Sequence, residues 1–249
     1  MRQRVEHSIS MMWFRCLLTL ALTLLATSNG NADDDRVMAR ELEAIGRAVA
    51  EAKALHFVVR VEFFQEATQT VPTFLRTMEV RRLGEKTLYR DPGLIMLANR
   101  NFAIVVDLKR REIHYQPDVQ RGNVPTREAA TRALDEALHQ LEAQGTSLRY
   151  VGMAEGLVHL SASSSHGEIR KADLFLDVHT RLPIRVRYEY APIASAPEAR
   201  TEIRYEWLDA TKLSLADFTK DTFVRIENGQ VTPSDEYRSF QIITPRHSD

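Results

Sequence analysis

One cysteine, Cys16, is all that the 249 residues contain, and it stands near the start of the chain. A lone thiol excludes an intrachain disulfide framework and any cysteine-rich metal centre. Glycine and proline are sparse, at 10 and 9 residues, and there is no glycine-rich phosphate loop or low-complexity tract. Charge of one sign is missing too: 33 basic side chains meet 34 acidic ones, interspersed along the chain. Such a balance gives no basic footprint for nucleic acid and suits an ordinary water-facing surface. Long apolar runs are absent except for CLLTLALTLLA, residues 16–26. That run is too short to cross a bilayer comfortably and has the length of a signal-peptide core.

Arg2, Arg4 and Arg15 precede the run, and TSNGNA after it places the small residues Gly30 and Ala32 just before a possible cut at Asp33. Residues 1–32 therefore read as an export signal, with Met11 or Met12 as an alternative start and a retained membrane anchor as the competing reading. Cys16 lies ahead of the apolar run, not behind it, and so is not placed as the lipidated cysteine of a bacterial lipoprotein. Residues 33–249 are expected to form a single domain, long enough to bury a core without disulfides.

Along that domain the hydrophobic period changes several times. Val37, Leu42, Ile45, Val49 and Ala52 predict a helix over residues 36–55, with Asp33, Asp34 and Asp35 at its positive end. HFVVRVEFF then alternates, with Phe57, Val59, Val61 and Phe63 on one face, so a strand follows almost at once. Further strands are expected at 74–82, 87–90, 94–98, 102–107 and 112–116, divided by the turn signals DPG, NRN and DLKR. Pro125 opens a second amphipathic helix in which Ala130, Leu134, Leu138 and Leu141 form one stripe and Gly145 ends it. Strands resume at 147–152, 157–162, 168–178, 184–190 and 201–207, the last two with Val186 and Tyr188, and with Ile203, Tyr205 and Trp207, set against charged residues. In the tail, Phe218, Phe223 and Val224 are expected to dock, and 237–243 is a weaker strand candidate.

Chemistry is hard to find. None of the eight histidines belongs to HExxH, and no two lie four apart on a predicted helix. His139 reads as a solvent-facing helix residue, His159 as a half-buried strand residue beside Leu157 and Ser161, and His166 as part of a turn. There is no GxSxG elbow. Glu202 and Glu206 are expected to face Arg185 and Arg187 across neighbouring strands, as ion pairs on a solvated sheet. No catalytic residue, metal site or cofactor is assigned, and an enzyme is the least favoured reading.

The order of these segments resembles the LolA/LolB-like superfamily of periplasmic lipoprotein-localisation factors. LEAIGRAVAEAKALHFVVRVEF is similar to that family's opening helix and first strand, and LIMLANRNFAIVVDLKRREIHYQ to its hairpin pair. LFLDVHTRLPIRVRYEY resembles its strand, aspartate–threonine turn and leucine–proline strand, and DFTKDTFV its tucked-in phenylalanine segment. The matches cover most of residues 36–226. Arg181 departs from the glycine usual in the turn, and Arg100-Asn101 from the usual aspartate–glycine.

The resemblance implies an α+β fold, mostly antiparallel: an incomplete curved β-barrel of about 11 strands with helices capping its concave apolar face. It further implies a periplasmic, non-enzymatic carrier of the acyl chains of lipids or lipoproteins, expected as a monomer. The same shell also serves sensor domains, so an envelope protein partner is the alternative. Candidate cavity residues are Phe57, Val59, Val61, Phe63, Met78, Val80, Val186, Tyr188, Ile203, Tyr205 and Trp207 on the sheet, and Leu134 and Leu138 on the second helix. A closed core of the same residues is the competing reading, because burial stabilises by roughly 25 cal/mol per Å² whatever does the covering.

Overall fold

The computed structural model describes residues 32–66, 68–117, 146–165, 168–192 and 198–243. The expected signal at 1–32 falls almost wholly outside them, as do the second helix with Leu134, Leu138 and His139, and the turn residue His166.

The first helix, α1, runs Ala32–Glu51, so Asp33, Asp34 and Asp35 occupy its opening turn. Leu42 and Ile45 are buried, while Glu43 and Arg47 form an exposed ion pair at 2.9 Å one turn apart. The helix stops four residues short of the predicted end. Leu55, predicted as its last residue, is buried as part of the next strand, where Leu55, Phe57 and Val59 alternate with less buried neighbours. Alternation over those positions outweighs the helical spacing that precedes it.

Eleven strands follow where the alternation predicted them: β1 Ala54–Phe64, β2 Phe74–Leu83, β3 Lys86–Arg90, β4 Leu94–Ala98, β5 Phe102–Asp107, β6 Glu112–Pro117, β7 Thr146–Ala154, β8 Leu157–Ser164, β9 Ile169–Asp177, β10 Pro183–Tyr190 and β11 Arg200–Trp207. The tail adds β12 Val224–Glu227, β13 Gln230–Pro233 and β14 Gln241–Ile243. Among the described residues twelve strands form one sheet in the order β14-β6-β5-β4-β3-β2-β1-β11-β10-β9-β8-β7, and β12 and β13 pair separately. The expected count of about 11 thus rises through the tail. Only the last three residues of the weak candidate at 237–243 become a strand, and β14 lies parallel to β6 while the sequence-adjacent strands pair antiparallel. The order does not close on itself: β14 and β7 stand at its ends.

Aspartate and asparagine shape the turns. Asn99 Oδ1 accepts from the backbone N–H of Asn101 and Phe102, and Asp107 Oδ1 from those of Lys109 and Arg110. Asp177 Oδ1 does the same for His179 and Thr180. Arg181, where the resembled family has glycine, adopts φ +59°. Its guanidinium sits 3.2 Å from the Glu41 carboxylate of α1.

The chain divides into two compact units, each made of three segments. Of the described residues, one comprises those from 32 to 51, 61 to 75 and 146 to 204, the other those from 52 to 60, 76 to 117 and 205 to 243. In the second unit Leu88, Leu97, Ile104, Val106 and Ile113 of β3 to β6 form a core with Phe218, Phe223, Val224 and Tyr237 of the tail, so the expected docking residues are in place. In the first, Val158, Leu160, Leu174, Leu176 and Val186 are buried on one face of β8, β9 and β10.

Candidate functional site

The apolar positions singled out in the sequence fall into two classes of burial. Phe57, Val59, Val80, Val186 and Tyr188 are buried. Val61, Phe63, Met78, Ile203, Tyr205 and Trp207 keep part of their surface accessible. The first class is core material, and the second lies between core and solvent.

Within the second unit, Phe57 brings two of the half-exposed residues together. Its ring lies 4.7 Å from that of Trp207 and 6.3 Å from that of Tyr205, both tilted, and the Tyr205 and Trp207 rings stand 6.5 Å apart, nearly parallel. Tilted and offset rings at these separations are favourable beyond the area they bury. The other side of this strand region is polar: His56 Nε2 is 2.8 Å from Glu79 Oε1, and Arg81 reaches Glu79 at 2.7 Å and Asp217 at 3.5 Å. Burial pushes the Glu79 carboxyl up, and hydrogen bonds with His56 and Arg81 outweigh that to hold it below the usual carboxylate range.

Within the first unit, Val186 pairs in register with Ile203, and Tyr188 with Thr201. Phe63 and Tyr190 approach to 6.3 Å, and the Tyr190 hydroxyl bonds the Thr201 hydroxyl at 2.9 Å. The buried phase of β1 changes along its length. Residues 55, 57 and 59 are covered near its start, but Glu62 and Phe64 near its end, which leaves Val61 and Phe63 half-exposed.

Two expectations about polar pairs are corrected. Arg187 stands opposite Glu202 as expected, yet its guanidinium is 3.0 Å from Glu189, along its own strand. Arg185 stands opposite Arg204, not a glutamate. Glu202 is held by Arg204 at 3.1 Å and Arg200 at 3.4 Å. Burial raises the Glu202 carboxyl, and these two arginines more than reverse it. His159 is half-buried, as expected, and is fixed by Asp173 at 2.8 Å.

The sequence missed a group of exposed apolar residues at the β1–β2 connection. Val71, Phe74 and Leu75 are 72, 53 and 55% exposed. β2 is exposed on both faces over residues 74–77. Arg200 braces the connection: it donates to the carbonyls of Glu66 and Gln69 at 2.7 and 2.8 Å, with its guanidinium 4.1 Å over the Phe64 ring. Apart from the apolar stretch VPTFL, nothing in the sequence signals this group. Among the described residues no cluster of three or more histidine, aspartate or glutamate side chains is placed to hold a metal ion, and no helix is long and apolar enough to cross a membrane.

No family model matches the chain, and no curated protein does. Solved structures similar to it include LolA superfamily proteins. One from Nitrosomonas europaea is 12% identical over 74% of this chain and 97% of that one, with a TM-score of 0.31. An uncharacterised conserved protein from Thermus thermophilus is 10% identical over 84% and 99%, TM-score 0.41. A chain of the MucA/MucB complex of Pseudomonas aeruginosa is 13% identical over 73% of this chain and 60% of that one, TM-score 0.35. Likeness at this level assigns no activity.

Proposed function

We propose that the chain is an exported, periplasmic binding protein without enzymatic activity that shelters the acyl chains of a lipid or lipoprotein. The observation that carries the reading is the half-exposure of Tyr205 and Trp207, gathered about the buried Phe57 ring within the second unit. Met78 of the same unit adds a side chain that adapts to a flexible apolar guest. Titrating the full chain with a fluorescent long-chain fatty acid is expected to give saturable binding, weakened about tenfold or more in Trp207→Ala, a loss of about 1.4 kcal/mol. Absence of saturation sinks the reading. Native mass spectrometry of protein taken from its own envelope is expected to show the guest as added mass.

A second reading, an envelope protein as partner, is favoured by Val71, Phe74 and Leu75, whose exposure suits a flat protein surface better than an enclosed acyl chain. Capture of an envelope protein in the absence of lipid, lost in Phe74→Ser, supports this reading over the first.

A further inference from the structure

The water-facing side of the first unit carries a row of four positions in register across four strands: Arg185 on β10, Phe175 on β9, His159 on β8 and Gly152 on β7. The Arg185 guanidinium lies 4.1 Å from the Phe175 ring centroid, and the His159 imidazole stacks on the same ring at 4.3 Å and 15°. Asp173, in the neighbouring row, fixes His159 at 2.8 Å and is itself held by Lys171 at 2.8 Å. The row ends in a gap. Gly152 follows a register shift in β7, has φ +139°, and a Cβ built on it would meet nothing within 4 Å. Val151, Gly152, Leu157, His159, Phe175 and Arg185 line a shallow depression of about 260 Å³ there, with Glu155 at its border.

Arg185 has no ion-pair partner among the described residues, and its register partner across β11 is another cation, Arg204. Arg204 is neutralised by Glu202 at 3.1 Å and Glu62 at 3.4 Å. Arg185 has no such compensating carboxylate among the described residues, so its guanidinium is left available to an anion. Stacking on Phe175 holds the guanidinium plane in place while leaving its edge donors, which fit a carboxylate in two-point fashion. From Arg185 to Gly152 is three strand spacings, about 14 Å, floored by Phe175, His159 and Leu157.

We propose that this row is a surface site for a free medium-chain organic acid, its carboxylate on Arg185 and its apolar body laid over Phe175 and His159 into the gap at Gly152. The site lies on the face opposite buried Val186 and Leu174 and does not depend on the acyl shelter proposed above. The probe is decanoate, titrated into the full chain and followed by backbone amide shifts in NMR.

Saturable shifts are expected at Gly152, Leu157 and Phe175, with affinity falling tenfold or more in Arg185→Gln and in Phe175→Ala, and rising in Glu155→Gln. Decanol, with the chain but no charge, and inorganic phosphate, with charge but no chain, are each expected to bind at least tenfold more weakly. Trp207→Ala, which tests the acyl shelter, is expected to leave these shifts unchanged. Equal binding of decanoate by wild type and Arg185→Gln overturns the proposal, as does equal binding of decanol. Arg185 is exposed, so Arg185→Gln is expected to fold, and Arg185→Lys, which keeps the charge but loses the planar fork, is expected to bind with intermediate affinity.

Discussion

Asp91 closes the β3–β4 turn almost out of reach of water, accepting from the backbone N–H of Gly93 at 2.7 Å and of Leu94 at 2.9 Å, and bonding the Tyr89 hydroxyl and Arg76. Burial pushes its carboxyl up, but the Tyr89, Gly93 and Arg76 hydrogen bonds outweigh that and hold it below the usual carboxylate range. Asp173 is balanced the same way: burial raises it, and Lys171, His159 and Ser161 bring it down further than burial lifts it. A carboxyl whose folded value is depressed binds fewer protons than it does unfolded. Its stabilisation is therefore complete above the unfolded value, about 3.9 for aspartate, and is lost as pH falls through the lower folded value. Acid denaturation is expected to steepen below about pH 4, and to be shallower in Asp91→Asn, when urea midpoints are compared across pH. Asp91→Ala, which strips four donors of a buried acceptor, is expected to cost about 1–3 kcal/mol at neutral pH; an unchanged midpoint refutes the role given to this turn. The DPG signal made the turn legible in the sequence, because the aspartate's backbone contacts are local. Arg76 approaches from β2, fifteen positions away, and no local pattern announces it.

At the scale of elements, the β1–β2 connection depends on one side chain from β11. Arg200→Ala removes the donors to the carbonyls of Glu66 and Gln69, and faster amide exchange is expected over residues 65–73, with β8 and β9 unchanged. Equal exchange in the variant rules out the brace. In α1, Leu42 is buried on the stripe that the sequence displayed, and Leu42→Ala is expected to lower stability by about 2–5 kcal/mol in chemical denaturation. Of the first eleven strands, β1, β2, β10 and β11 were legible from their period of two, and the short apolar β4 and β5 from the turn signals that bound them. β12 and β13 were not, being four residues long, too short for a period to show, and β14 was legible only as the end of the weak candidate at 237–243. Their pairing is decided by what the tail's Phe218, Phe223 and Tyr237 bury against, and β14 covers the outer edge of β6 in the process.

At the scale of the molecule, β1, β2 and β11 each carry the chain from one compact unit into the other, so neither unit is a continuous stretch of sequence. Melting followed by circular dichroism and by tryptophan fluorescence is expected to show one coincident transition, since three strands belong in part to both units; two separated transitions contradict this. The sequence by itself determined the strand-rich class, the near-neutral surface, the lack of thiol chemistry and which residues are apolar on each strand, because composition and a local period record these directly. The tertiary structure alone decided which of those apolar residues are covered. It put Phe57 under Trp207, left Phe74 and Leu75 in water, and set Arg185 opposite Arg204 on a phenylalanine shelf. Coverage and register depend on segments far apart in the chain, and a period of two is the same for a strand that meets a helix, a ligand or nothing.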